Sequence, residues 1–143
     1  MITSDPHPHK PHQPRICLID DDEINRFVMA KTIRVSGIDA NVVTFANGRE
    51  AMLYFLENAA NPSILPDLVF LDINMPKMNG WQFLEEFERL ERLLAKDISI
   101  YMVSSSVDER DLLRSKTYKH VAGYIEKPLT AEVISELVLA VKV

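Results

Sequence analysis

From Arg15 onward, apolar runs short enough to be strands alternate with longer stretches in which apolar residues recur every three or four positions. The runs are "RICLID" at 15–20, "NVVTFA" at 41–46, "DLVFLD" at 67–72, "ISIYMVS" at 98–104 and the weaker "VAGYIE" at 121–126. Near-continuous apolar runs suit strands buried on both faces, and their alternation with helical stretches predicts an α/β domain with a parallel sheet between two helical layers. The helical stripes are Met52, Phe55, Leu56 and Ala59, then Phe83, Phe87, Leu90 and Leu94, then Ile134, Leu137, Val138 and Val141. Each reads as core. The third helix is expected to run on through "EEFERLERLLAKD", with its charges on a solvated face.

Ahead of the first run, residues 1–14 hold four of the eight prolines and three of the four histidines, with Ile2 as the only aliphatic residue after Met1. Such a segment cannot bury enough surface to order itself, which predicts a disordered tail at 1–14 and one domain at 15–143. His7, His9 and His12 have no Cys or carboxylate partners at structural-metal spacing.

The 16 basic and 21 acidic residues give a net charge of −5, the wrong sign for a general phosphate-backbone binder, so nucleic acid is not an expected partner. Cys17, the single cysteine, lies in an apolar run and reads as a small buried hydrophobe. Neither a signal-peptide pattern nor a spanning apolar stretch of about 18 residues is present, and the expectation is a cytoplasmic protein with no membrane partner.

Chemistry enters where the runs end. Ligands of open parallel sheets bind beyond the carboxyl ends of the strands. There the chain puts Asp20 and Asp21, then Asp72, Ser104 and Lys127. Carboxylates sharing a pocket repel, and a divalent cation relieves them. An oxygen-only donor set with few protein ligands favours Mg²⁺. Asp22 stands where a helix begins and reads as support for the helix N-terminus, leaving Asp20 and Asp21 as the metal pair. A cation beside a carboxylate, a hydroxyl and a lysine suits phosphoryl transfer, with Asp72 as nucleophile and Lys127 and Ser104 holding phosphoryl oxygens.

"LIDDDEINR" at 18–26, "LVFLDINMPKMNGWQFL" at 68–84, "YMVSSS" at 101–106 and "GYIEKPLT" at 123–130, in this order, resemble the receiver domains of two-component response regulators. The resemblance covers about residues 15–141. It implies a flavodoxin-like (βα)₅ fold with strand order 2-1-3-4-5, and an Asp72 that accepts a phosphoryl group from a histidine kinase or a histidine phosphotransfer protein. It further implies Mg²⁺ held by Asp21, Asp72 and the backbone carbonyl of Asn74, with Asp20 acting through water. Ser104 and Tyr124 take the switch positions, and a cis peptide is implied between Lys127 and Pro128. The chain reads as a stand-alone receiver without a DNA-binding output domain, monomeric or dimerising on phosphorylation, that signals through contacts with an effector protein. It would catalyse only its own phosphorylation and dephosphorylation.

Two other readings share parts of this pattern. Asp20 and Asp22 satisfy the D-x-D spacing of haloacid dehalogenase-like phosphatases, but that family's later acidic pair is missing and "LDINMP" would have no role. A pseudo-receiver, a binding module that has lost phosphorylation, usually lacks the acceptor, the acid pair or the lysine, and here all are present.

Overall fold

The computed structural model describes residues 13–141; the tail histidines His7, His9 and His12 lie outside the described residues. Five strands alternate with five helices: β1 (Arg15–Ile19), α1 (Glu23–Val35), β2 (Asn41–Phe45), α2 (Gly48–Glu57), β3 (Leu68–Asp72), α3 (Gly80–Leu90), β4 (Ser99–Ser104), α4 (Glu109–Ser115), β5 (Val121–Glu126) and α5 (Ala131–Ala140). The strands form one parallel sheet in the order β2-β1-β3-β4-β5, which is the flavodoxin-like order.

Position in the sheet explains the strength of each run. Every residue of the inner strands β1 and β3 is buried, whereas the edge strands β2 and β5 are mostly half-buried. The period of two then divides the core. Ile16 and Leu18 join Leu68 and Phe70 under Met29 and Ile33 of α1 and Ile134 of α5. Cys17 and Ile19 join Val69 and Leu71 on the opposite face, under Met52 and Phe55 of α2 and Phe83 and Phe87 of α3. Cys17 is fully buried, and burial pushes its thiol pKa far up, in keeping with an inert core residue.

The helical stripes hold with two corrections. The inward face of α2 is Gly48, Ala51, Met52 and Phe55, while Leu56, one step of about 100° round from Phe55, is exposed, and Ala59 lies in the turn beyond the helix end at Glu57 and joins neither core cluster. The third helix is shorter than its pattern suggests. It stops at Leu90 and tightens into a 3-10 turn at Glu91–Leu93. The chain is drawn off the helix axis there, because the Ala95 N–H donates to the Ala59 carbonyl at 2.8 Å and Lys96 Nζ binds the Leu65 carbonyl at 2.9 Å and Asp67 Oδ1 at 3.1 Å. At the other end of the chain, contacts begin just ahead of β1. Gln13 Nε2 donates to Asp39, and the Asn41 N–H donates to the Pro14 carbonyl.

Candidate functional site

Strand register brings the polar ends of the runs to one level. Ile19 lies opposite Leu71, Asp72 opposite Val103, and Ser104 opposite Glu126, so Asp20, Asp72, Ser104 and Lys127 emerge together at the carboxyl edge. The Lys127 N–H donates to the Ser104 carbonyl at 2.7 Å, extending the β4–β5 pairing to the lysine itself. The Lys127–Pro128 peptide is cis, as the resemblance implies.

Carboxylate oxygens of Asp20, Asp21 and Asp72 lie within 4.8 Å of one another, forming an acidic cluster that could bind a metal ion. Asp20 and Asp72 are buried; Asp21 is exposed, and its carboxylate makes no hydrogen bond among the described residues. Asp20 is fully engaged: Oδ1 accepts from the Asp22 N–H and Oδ2 from Lys127 Nζ, both at 2.9 Å. The Lys127 ammonium also stands 3.6 Å from Asp72 Oδ1. Burial, and next the charge of Asp20, push Asp72 up to about 6; Asp21 adds to this, while Lys127 and the Asn74 N–H oppose it. Burial by itself would lower Lys127, but its hydrogen bonds to and attraction by Asp20 and Asp72 prevail and raise it. Asp72, raised first by burial and then by the charge of Asp20, would be relieved by a cation, and an oxygen-rich donor set of this kind fits a hard divalent ion.

The third carboxylate of the run does different work. Asp22 is the N-cap of α1 and accepts from the Ile24 and Asn25 N–H groups at 2.9 and 3.3 Å. Its side chain is thereby committed to the helix, which removes it from the D-x-D pair of the phosphatase reading.

Behind Asp72, the start of α3 is fixed by a capping box between Asn79 and Gln82. The Gly80 N–H donates to the Ile73 carbonyl at 2.8 Å, and a Cβ on Gly80 would stand 2.8 Å from the Asp72 carbonyl oxygen and 2.9 Å from Ile73 Cα. Only glycine lets the helix approach this closely. Asn74 itself is exposed, and its N–H is the group that bonds Asp72.

Ser104 and Tyr124 sit apart from the cluster chemistry. The buried Ser104 hydroxyl donates to the Ser106 carbonyl at 2.8 Å and accepts from the Ser106 N–H at 3.3 Å, closing the turn after β4. Tyr124 packs half-buried against the α2–α3 side of the core, and its buried hydroxyl has no partner among the described residues.

Two residues at this edge escaped sequence reasoning. Gly80 lies inside the quoted "KMNGW", but the need for it appears only when α3 meets the Asp72 backbone. Arg26 reaches back from α1 to donate Nη1 to the Asp20 carbonyl at 2.6 Å. Its only sequence signal is a spacing of six from Asp20.

No helix among the described residues is long and apolar enough to cross a membrane.

Comparison with known proteins agrees with this geometry. The family model described as "Response regulator receiver domain" matches residues 16–139. A probable methanogenesis regulatory protein, FilR2 of Methanothrix harundinacea, is 28% identical over 89% of this chain and 80% of its own. A two-component response regulator of Cytophaga hutchinsonii superimposes with a TM-score of 0.80 at 29% identity, covering 89% of this chain and 98% of that one. A Mn(2+)-bound form of response regulator Rcp1, a protein of Synechocystis sp., gives a TM-score of 0.67 at 26% identity over 87% of this chain and 88% of that one. Other curated relatives are longer; the chain spans 48% of transcriptional regulatory protein PrrA of Mycobacterium tuberculosis, at 32% identity over 90% of this chain.

Proposed function

This chain belongs to the response regulator receiver domain family of two-component signalling, and from that premise we propose that Asp72 takes a phosphoryl group from the phosphohistidine of a histidine kinase or phosphotransfer protein in a Mg²⁺-dependent reaction. The observation that supports the reading is the position of the Lys127 ammonium, 2.9 Å from Asp20 and 3.6 Å from Asp72, beside a cluster of three carboxylates that could hold a metal ion.

In the transfer, an Asp72 carboxylate oxygen attacks phosphorus, the P–O bond forms as the P–N bond breaks, and the imidazole leaves as a neutral ring after protonation. Asp20, Asp21, Asp72 and the carbonyl of Asn74 are the groups that would hold Mg²⁺, with Asp20 acting through water. When bound, the cation neutralises charge on the phosphoryl oxygens and on the carboxylates. Lys127 offers the other positive charge and binds a phosphoryl oxygen. Ser104 would exchange its bond to Ser106 for one to a second phosphoryl oxygen. That exchange changes the surroundings of the Tyr124 ring, which is already packed with its hydroxyl buried, and so alters the face formed by α4, β5 and α5, through which an effector or a second copy of the chain reads the signal. The chain acts in this account as a cytoplasmic signalling domain whose catalysis is confined to its own phosphorylation and dephosphorylation.

Phosphotransfer profiling tests the donor. A panel of autophosphorylated histidine kinases and phosphotransfer proteins, each mixed with this protein and Mg²⁺, should contain members that pass label to it within minutes. Transfer to Asp72→Asn at the wild-type rate would refute the assignment of the acceptor.

A further inference from the structure

Among the described residues, four hydrogen bonds fix Asp20, and three of them come from groups with an evident reason to be there. Its N–H donates to the Phe45 carbonyl at 3.1 Å, continuing the β1–β2 pairing. Its carboxylate accepts from the Asp22 N–H and from Lys127. The fourth is the 2.6 Å bond from Arg26 Nη1 to its carbonyl. That carbonyl belongs to the peptide joining Asp20 to Asp21. A second bond closes the same segment, from the Arg26 N–H to the Asp22 carbonyl at 3.0 Å. That backbone bond is the first of the helix and any residue could make it, so what the arginine itself adds is the side-chain tie from the first turn of α1 back to the Asp20–Asp21 peptide.

Asp21 depends on this loop more than the other two carboxylates do. Asp20 and Asp72 are buried and face Lys127, while Asp21 is exposed and hydrogen-bonded to nothing described. Its place in the cluster is set by the backbone from which it hangs. Charge alone would argue against an arginine here, since a fixed cation beside three carboxylates competes with a metal ion for them. Its guanidinium is instead spent on a main-chain carbonyl, in a charge-assisted bond of the strong class.

We propose that Arg26 is a positioning residue for cation binding: by holding the Asp20–Asp21 peptide it keeps the Asp21 carboxylate within reach of Asp20 and Asp72. The inference rests on the reading of the acidic cluster as the cation site of the proposed reaction. Groups that orient metal ligands without touching the metal cost roughly 10- to 100-fold in affinity when removed. An arginine acting only as a nearby positive charge has the opposite signature, because its removal tightens cation binding.

The test is calorimetric titration of Mg²⁺ and Mn²⁺ into the full chain as wild type, Arg26→Met, Arg26→Lys and Lys31→Ala, which removes a positive charge from the same helix. Thermal melts without metal accompany each. Arg26→Met should fold, bind both ions about tenfold more weakly or worse, and label with acetyl phosphate at the wild-type rate once Mg²⁺ is saturating. Arg26→Lys, which keeps a donor, should recover most of the affinity, and Lys31→Ala should match wild type. Equal or tighter binding by a folded Arg26→Met overturns the positioning role, and so does a labelling rate that stays low at saturating Mg²⁺. A wild type that takes up neither ion overturns the cation reading itself, and this inference with it.

Discussion

Lys127 Nζ lies 2.9 Å from Asp20 Oδ2, joining side chains that are 107 residues apart in the chain, and among the described residues it is the ammonium that pairs with the buried carboxylate of Asp72, at 3.6 Å. Removing it would leave two buried carboxylates with backbone N–H donors but no neighbouring positive charge. Lys127→Met should lower stability by about 3 kcal/mol in the absence of metal, the usual cost of breaking a buried pair from one side. Mg²⁺ should restore more stability to this variant than to wild type. Chemical denaturation with and without Mg²⁺ measures both effects.

Asp72 sets a pH dependence of opposite sign to that of an ordinary ion-paired carboxylate. Its folded pKa is raised from 3.8 to about 6, so the folded state holds a proton that the unfolded state has released, and stability falls as pH rises through that window. Wild type without metal should therefore lose on the order of 1–2 kcal/mol between about pH 4 and pH 7 from this group, the full shift being reduced by solvent screening. Asp72→Asn should flatten that part of the profile and be the more stable protein at pH 7. Denaturation across pH in a chelating buffer checks the slope; a variant with an unchanged slope would contradict the assignment.

The contact between Gly80 and Asp72 is main chain against an added Cβ, with no flexible side chain able to yield. Gly80→Ala should cost on the order of 1–3 kcal/mol, the range for overpacking, despite alanine's better helix propensity. Because the strain falls on the Asp72 backbone, the labelling rate should fall as well. Unfolding curves paired with acetyl phosphate labelling separate the two losses.

The strand runs were legible because inner strands are apolar along their whole length, and the edge strand β5 was the weakest for the reason that it is half-buried. Asp20, Asp72, Ser104 and Lys127 were legible because polar residues ending apolar strands have one common place to go in a parallel sheet. Asp22 was correctly separated from its neighbours by its position at a helix start. What stayed hidden depends on contacts between elements distant in sequence. The end of α3 is set by Ala59 and Asp67, the need for glycine at 80 by the backbone of β3, and the use of Arg26 by the direction in which α1 leaves β1. Leu56 was assigned to the core because periodicity alone cannot fix where an apolar stripe ends.

Ser104 and Tyr124 offer a test of signalling that leaves the acceptor intact. Tyr124→Phe removes a buried hydroxyl without a described partner and should be neutral or stabilising by up to about 1 kcal/mol. Ser104→Ala should still label at Asp72, more slowly, while losing most of the gain in partner affinity that the beryllofluoride phosphoryl mimic confers on wild type. That gain is expected at roughly 5- to 150-fold, as for other allosteric pairs. Surface plasmon resonance against the effector, or sedimentation if the partner is a second copy, reads it directly.

The central claim concerns one carboxylate, and mapping the phosphoryl group by mass spectrometry after incubation with Mg²⁺ and acetyl phosphate tests it most directly. Wild type should gain one base-labile phosphoryl group on Asp72, none should form when Mg²⁺ is chelated, and Asp72→Asn should gain none. Label retained by Asp72→Asn, or mapped to Asp20 in wild type, would contradict the account.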